Sequence, residues 1–221
     1  MTSTTVNRSW AQRQRMAVLG LLTAAALVGC SGASGDSGDA AGGTPSPSRS
    51  SASPSPTATP TAAYKPASAE GPAENVPLPV MPEEAKVQSK EGLEAFARYW
   101  YEAANYGYET GDVSLVRAIS SPDCMTCTKY YEVVENGFKD GDWMAKSQIE
   151  VQGVHSDFVL TPENRYQALV QLRQDDMEYY GSGGQHQGTT ESRPLSSAQL
   201  VECTHDGAGW IAVNITTITA G

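Results

Sequence analysis

Between residues 31 and 70 the sequence contains no Leu, Ile, Val, Phe, Met or Trp, and 34 of the 40 positions are Ser, Gly, Ala, Pro or Thr. A segment of that composition cannot bury enough apolar surface to offset its conformational entropy, which excludes it from a folded core. Basic residues are scarce too. Beyond Arg8, Arg13 and Arg15, only 12 Lys and Arg face 25 Asp and Glu, with no basic cluster among them. Such a chain repels phosphate backbones and anionic headgroups, so a nucleic-acid partner is excluded. The only histidines are His155, His186 and His205, whose spacing shows no ligand pattern, so neither a metal nor a cofactor is expected. Nor is there an apolar run long enough for a permanent membrane span.

What is present at the N-terminus has three zones. Arg8, Arg13 and Arg15 lie in an acid-free start, Met16 to Val28 form an apolar run, and Gly29-Cys30 follow. Thirteen residues of helix reach about 20 Å, short of the roughly 30 Å hydrocarbon core, which reads as a signal peptide over residues 1–29. Leu27-Val28-Gly29-Cys30 resembles the lipobox of bacterial lipoproteins. That resemblance implies cleavage after Gly29 and a diacylglyceryl thioether on Cys30, anchoring the chain to the extracytoplasmic face of a bacterial cell membrane. The acyl chains would then hold it stably. A plain signal sequence or membrane anchor carrying a buried Cys is the competing reading. No Arg-Arg pair precedes the run, which favours the general secretory route.

Ten of the 13 prolines lie between Pro45 and Pro82, so residues 30–88 read as the lipidated Cys followed by a disordered tether. As a coil it spans roughly 40 Å, more where the Pro-rich part extends at about 3.1 Å per residue. The folded domain is then expected over residues 89–221.

Leu93, Phe96, Ala97, Trp100, Ala104 and Tyr108 make one stripe at helical spacing, predicting a helix from about Ser89 to Glu109, ended by Gly111. Asp112 should cap a second helix through Ile119, and Ser121-Pro122 should open a third carrying Cys127, Tyr131, Val134 and Phe138 on one face. Beyond Trp143 the period becomes two. Strands are predicted around Ile149–Leu160 with a bulge near Gly153, at Tyr166–Leu172, at Ala198–Thr204 and at Trp210–Thr219, the last two joined through Asp206-Gly207. Gly181 to Gly188 read as a loop.

This order predicts an α+β fold, three N-terminal helices packed on a curved, mainly antiparallel four-stranded sheet. It resembles the cone-shaped fold of nuclear-transport-factor-2-like proteins. More closely, Phe96-Ala97-Arg98-Tyr99-Trp100, Asn105-Tyr106, Thr110-Gly111-Asp112 and Ser120-Ser121-Pro122-Asp123-Cys124 with Cys127 resemble an uncharacterised family of actinobacterial lipoproteins, a domain of unknown function. The resemblance implies an envelope location and a cone fold, and no activity.

Three chemistries are open. Cys124 and Cys127 at a helix start suit either a structural disulfide or a thiol redox pair, with Cys203 left buried in its strand or bonded to one of them. Asp175, Asp176 and Glu178 read as solvated charges. The aromatics Tyr99, Trp100, Tyr101, Tyr106, Tyr108, Tyr130, Tyr131 and Trp143 exceed what a small core needs. Tyr99, Trp100, Tyr131 and Trp143 are the candidates for a ligand pocket between helix and sheet. A cone-fold isomerase or hydrolase would set an Asp or His base there, for which Asp157 and His155 are the candidates. The leading expectation is a non-catalytic domain that binds an envelope protein or a small apolar ligand.

Overall fold

The computed structural model describes residues 62–191 and 193–218. The signal peptide, Cys30 and the tether as far as residue 61 lie outside the described residues. The fold is α+β with two antiparallel sheets. Helix α1 spans Lys90–Thr110, α2 Ser114–Ala118 and α3 Met125–Gly137. The strands are β1 Trp143–Ala145, β2 Ile149–His155, β3 Tyr166–Gln174, β4 Met177–Tyr180, β5 His186–Thr190, β6 Arg193–His205 and β7 Trp210–Ile218. Strands β2-β3-β6-β7 form the larger sheet and β1-β4-β5 the smaller one.

Capping chemistry explains the boundaries of α1. Ser89 Oγ accepts from the Gly92 amide, and Gly111 closes the helix at φ 79°, a left-handed conformation that glycine adopts without steric cost. Asp112 Oδ1 accepts from the Ser114 amide at 2.8 Å in the turn before α2, but the cap position is Val113 and not Asp112 as the sequence suggests. The start of α3 differs from the sequence reading. Ser121 and Pro122 lie in a turn closed by the Cys124 amide on the Ser121 carbonyl, and the helix begins at Met125 with Cys124 as its cap. The Ser121 amide donates to the Ala212 carbonyl, which commits it to β7 and leaves the helix to start four residues later.

On the large sheet, alternation does what a half-buried sheet requires. Ala168, Val170 and Leu172 of β3 and Val201 and Cys203 of β6 point into the core, and on β7 a register slip at Val213 moves the inward phase from Trp210 and Ala212 to Ile215. The β2–β3 register slips between Val151 and Gly153, so Gln152 is the bulged residue and the inward phase moves from Ile149 and Val151 to Val154. Helix α1 lies against β2 and β3, and α3 against β7. More of α1 is buried than one stripe. Tyr99, Tyr101 and Ala103 are covered as well: α1 also meets α2 and a 3-10 turn at Glu83–Lys86, and Tyr101 reaches Gln199 of β6.

Two segments differ from expectation. The end of the segment assigned to a loop, His186 to Gly188, belongs with Thr189 and Thr190 to β5, which pairs with β4. Residues 62–88, assigned to the tether, lie on the domain. Lys65 pairs with Glu74 and Ser68 with Gly71 in a small hairpin, Trp143 Nε1 donates to the Ser68 carbonyl at 2.8 Å, and Trp210 Nε1 donates to the Val87 carbonyl at 2.9 Å. Two buried indole N–H groups need acceptors, and this strap supplies both. His205 adds a third tie: its Nδ1 accepts from the Gly207 amide, so Nε2 carries the proton toward the Lys86 carbonyl at 2.9 Å.

Candidate functional site

Where α1 and α3 leave the large sheet, a cleft of about 200 Å³ opens. Helix α1 contributes Trp100, Tyr101 and Tyr108, α3 contributes Thr126, Lys129, Tyr130 and Val133, and the sheet contributes Ile149, Gln199 and Ile215. The walls are held by hydrogen bonds that use the polar tips of the aromatic rings. Trp100, 3% exposed, donates its indole N–H to Ser120 Oγ at 2.9 Å, and the Ser120 hydroxyl in turn donates to the Val116 carbonyl at 2.8 Å. Tyr130 donates to the Ala104 carbonyl at 2.6 Å. Its ring meets Tyr108 edge-on at 5.0 Å and Trp100 at 6.1 Å. Thr126 Oγ1 donates to the Ile215 carbonyl at 2.7 Å and closes one end.

Gln199 is the polar group of the sheet wall. Tyr101 donates to its Oε1 at 2.6 Å, and its Nε2 donates to Thr217 Oγ1 at 3.1 Å. A side-chain amide offers two donors and two lone pairs, so one of each is left for a bound molecule. The ionisable lining groups are Tyr101, Tyr108, Tyr130 and the exposed Lys129. Burial, with the neighbouring Tyr108 and Tyr131 adding to it, pushes the Tyr130 hydroxyl far above the ordinary phenol range, which keeps it a neutral donor. These side chains pack and hydrogen-bond; none is a carboxylate or imidazole that could take a proton near neutral pH.

The four pocket candidates from the sequence are dispersed. Only Trp100 lines the cleft. Tyr99 is buried elsewhere on α1, and Tyr131 turns away on α3, where the Arg117 guanidinium lies 4.4 Å from its ring centroid and its buried hydroxyl has no partner among the described residues. Trp143 stacks on Tyr180 at 5.6 Å in the small sheet, because β1 pairs with β4. His155 and Asp157, the candidate bases, sit 3.1 Å apart and exposed at the end of β2, outside the cleft. Tyr108 and Tyr130 stood among the surplus aromatics, but nothing local in the sequence indicates Gln199, Ile149 or Ile215. Strand pairing brings them in.

The Cys124 and Cys127 sulfurs are 2.02 Å apart, the distance of a disulfide, and both residues are fully buried. Cys203 is free and buried, and desolvation pushes its thiol well above the ordinary range, with Glu202 nearby adding to the effect. Among the described residues no group of three or more His, Cys, Asp or Glu could hold a metal, and no helix is long and apolar enough to cross a membrane.

Residues 62–216 match a family described as a family of unknown function, DUF6318. The chain belongs to this family. The matched span of DUF6318 opens at the strap and includes every residue of the cleft, so the strap is part of the domain that the family defines. No match to a curated protein was found. Among solved structures, the intermembrane space region of the chloroplast protein ARC6 aligns at 9% identity with a TM-score of 0.40, over 60% of this chain and 98% of that one. That likeness is too slight to build on.

Proposed function

We propose that this protein is a bacterial envelope lipoprotein whose DUF6318 domain binds a small apolar ligand, or an apolar side chain of an envelope partner, in the cleft between α1, α3 and the large sheet. Diacylglyceryl-Cys30 anchors it to the extracytoplasmic face of the membrane. In this reading the domain is a cone of the nuclear-transport-factor-2-like kind, three helices packed on a curved four-stranded sheet. The Leu27-Val28-Gly29-Cys30 sequence behind a short apolar run supports the anchor. Replacing Cys30 with Ala should block incorporation of labelled fatty acid. Equal labelling of the two proteins would defeat this part of the reading.

The observation that carries the binding function is the cleft: four aromatic rings and two isoleucines around about 200 Å³, with one hydrogen-bonding amide. An engineered cavity of about 150 Å³ holds benzene, so this one accommodates a single ring or a chain of similar bulk. Gln199 then favours a ring that carries one hydroxyl or carbonyl. Toluene and p-cresol are suitable probes, read through Trp100 fluorescence and the NMR signals of Ile149 and Ile215. Both should bind, p-cresol the tighter, and Ile215→Trp should fill the cleft and abolish binding. Failure of both probes to perturb those signals would refute the site. Acid–base catalysis in the cleft is not part of this reading, because its walls supply hydrogen bonds and apolar contact.

A further inference from the structure

On another face of α1, away from the helix–sheet cleft, lies a second cavity of about 360 Å³ between that helix and the strap. Glu102, Tyr106 and Glu109 line it from α1, and Tyr64, Val76 and Pro79 are among its strap residues. Glu102 and Glu109 are seven residues apart, two turns, and therefore about 10 Å apart along one helix face. No lysine or arginine lines the cavity, and neither carboxylate has a basic partner among the described residues.

Glu109 is the unusual member. It is 8% exposed, yet its one hydrogen-bond donor among the described residues is the Tyr64 hydroxyl, on Oε1. Gln148 in turn donates to that hydroxyl at 3.3 Å, which fixes the phenol in place. The other carboxylate oxygen has no protein donor among the described residues. Asn105, also in the wall, pairs its Oδ1 and Nδ2 with the amide and carbonyl of Ile149 at 2.7 and 2.8 Å, which fixes its orientation. Glu109 is thus largely covered, held by one donor, and lines the cavity without a basic partner among the described residues.

We propose that this cavity binds a primary alkylammonium, as a free amine or as a lysine side chain of an envelope partner. Three features select that chemistry. The negative charges at Glu102 and Glu109 have no internal counterion. The walls between them are apolar and aromatic, suited to a methylene stem, and Tyr64 and Tyr106 present rings to a cation. Tyr64 also occupies one oxygen of Glu109, which prevents the two-point fork that a guanidinium prefers and leaves the one-point contact that an ammonium makes.

The test is NMR titration of the full-length protein with butylammonium, n-butanol, butylguanidinium and the blocked peptide acetyl-Ala-Lys-Ala-amide. Butylammonium should bind at about millimolar affinity and move the Tyr106 and Glu109 signals. Butanol should bind more weakly, and so should butylguanidinium. Glu109→Gln keeps an acceptor for Tyr64 and should weaken butylammonium about tenfold or more. Glu102→Gln, at an exposed position where folding is not at stake, should weaken it a few-fold. Tighter binding of the peptide than of butylammonium would identify a lysine in a chain as the ligand; the reverse order would identify a free amine. Unchanged binding in both variants, butanol equal to butylammonium, or no movement of the Tyr106 and Glu109 signals would each overturn the proposal. None of these outcomes bears on the helix–sheet cleft, which lies on a different face of α1.

Discussion

At the scale of single residues, Trp100 does two jobs, filling the space between α1 and the α2–α3 turn and holding Ser120 through its indole N–H. Truncation to Ala should cost about 3 to 5 kcal/mol, read as a lowered midpoint in urea, since a large buried aromatic leaves a cavity that the surroundings only partly fill. A loss below about 1 kcal/mol would mean that the ring is not packed as described. Tyr64 permits a pH prediction. Partial desolvation first, then its hydrogen bond and charge interaction with Glu109, push its hydroxyl up to about 12 from the ordinary value of 10.0. A raised pKa means that the folded state favours the neutral phenol. Its contribution is therefore complete below about pH 10 and lost as pH rises toward 12. Ultraviolet titration should show Tyr64 among the tyrosines that ionise late, with Tyr130 beside it, and Glu109→Gln should remove the part of the Tyr64 shift that the carboxylate causes. An unshifted Tyr64 in the parent protein would rule the contact out.

At the scale of elements, the Cys124–Cys127 pair sits at the first turn of α3, where the Cys127 amide donates to Cys124 Sγ at 3.3 Å. A loop this short removes little entropy from the unfolded chain, about 2 kcal/mol, so the bond chiefly holds the start of α3 in place. Because both sulfurs are buried, a dithiol should reduce them slowly in the native protein and faster as urea opens α3. Fast reduction without urea would instead favour the redox alternative. The boundaries of α1 were legible from Ser89, Gly111 and the stripe beginning at Leu93, because capping and amphipathicity are local. So was the bulge beside Gly153. The start of α3 was not, because Ser121 and Pro122 carry a genuine cap signal that a tertiary hydrogen bond to β7 overrides. Strand β5 was hidden for a related reason: His186-Gln187-Gly188-Thr189-Thr190 has no alternating apolar residues, and pairing with β4 alone makes it a strand. The cleft was half legible. Its aromatic wall comes from helices whose pattern can be read, whereas Ile149, Gln199 and Ile215 arrive by sheet register.

At the scale of the whole molecule, the strap changes where the domain begins. Composition places residues 62–80 with the Ser/Pro/Ala-rich stretch before them, yet they supply the Ser68 carbonyl to Trp143 and the Tyr64 hydroxyl to Glu109. A protein starting at residue 81 loses both hydrogen bonds, each worth about 0.5 to 1.5 kcal/mol, and uncovers the apolar surface of Trp143 that Ala67 packs on. It should therefore melt at lower urea than one starting at residue 62. Equal midpoints would show that the strap adds nothing to the fold. The strap also has a mechanical meaning. With Cys30 held in a membrane as proposed, any pull on the domain enters at residue 62, and the ties at Tyr64, Lys65–Glu74 and Ser68–Trp143 meet that load one after another, as a peeled strip does. On that reading the ties would part before the large sheet is loaded, so the strap would work as a mechanical fuse between Cys30 and the rest of the domain.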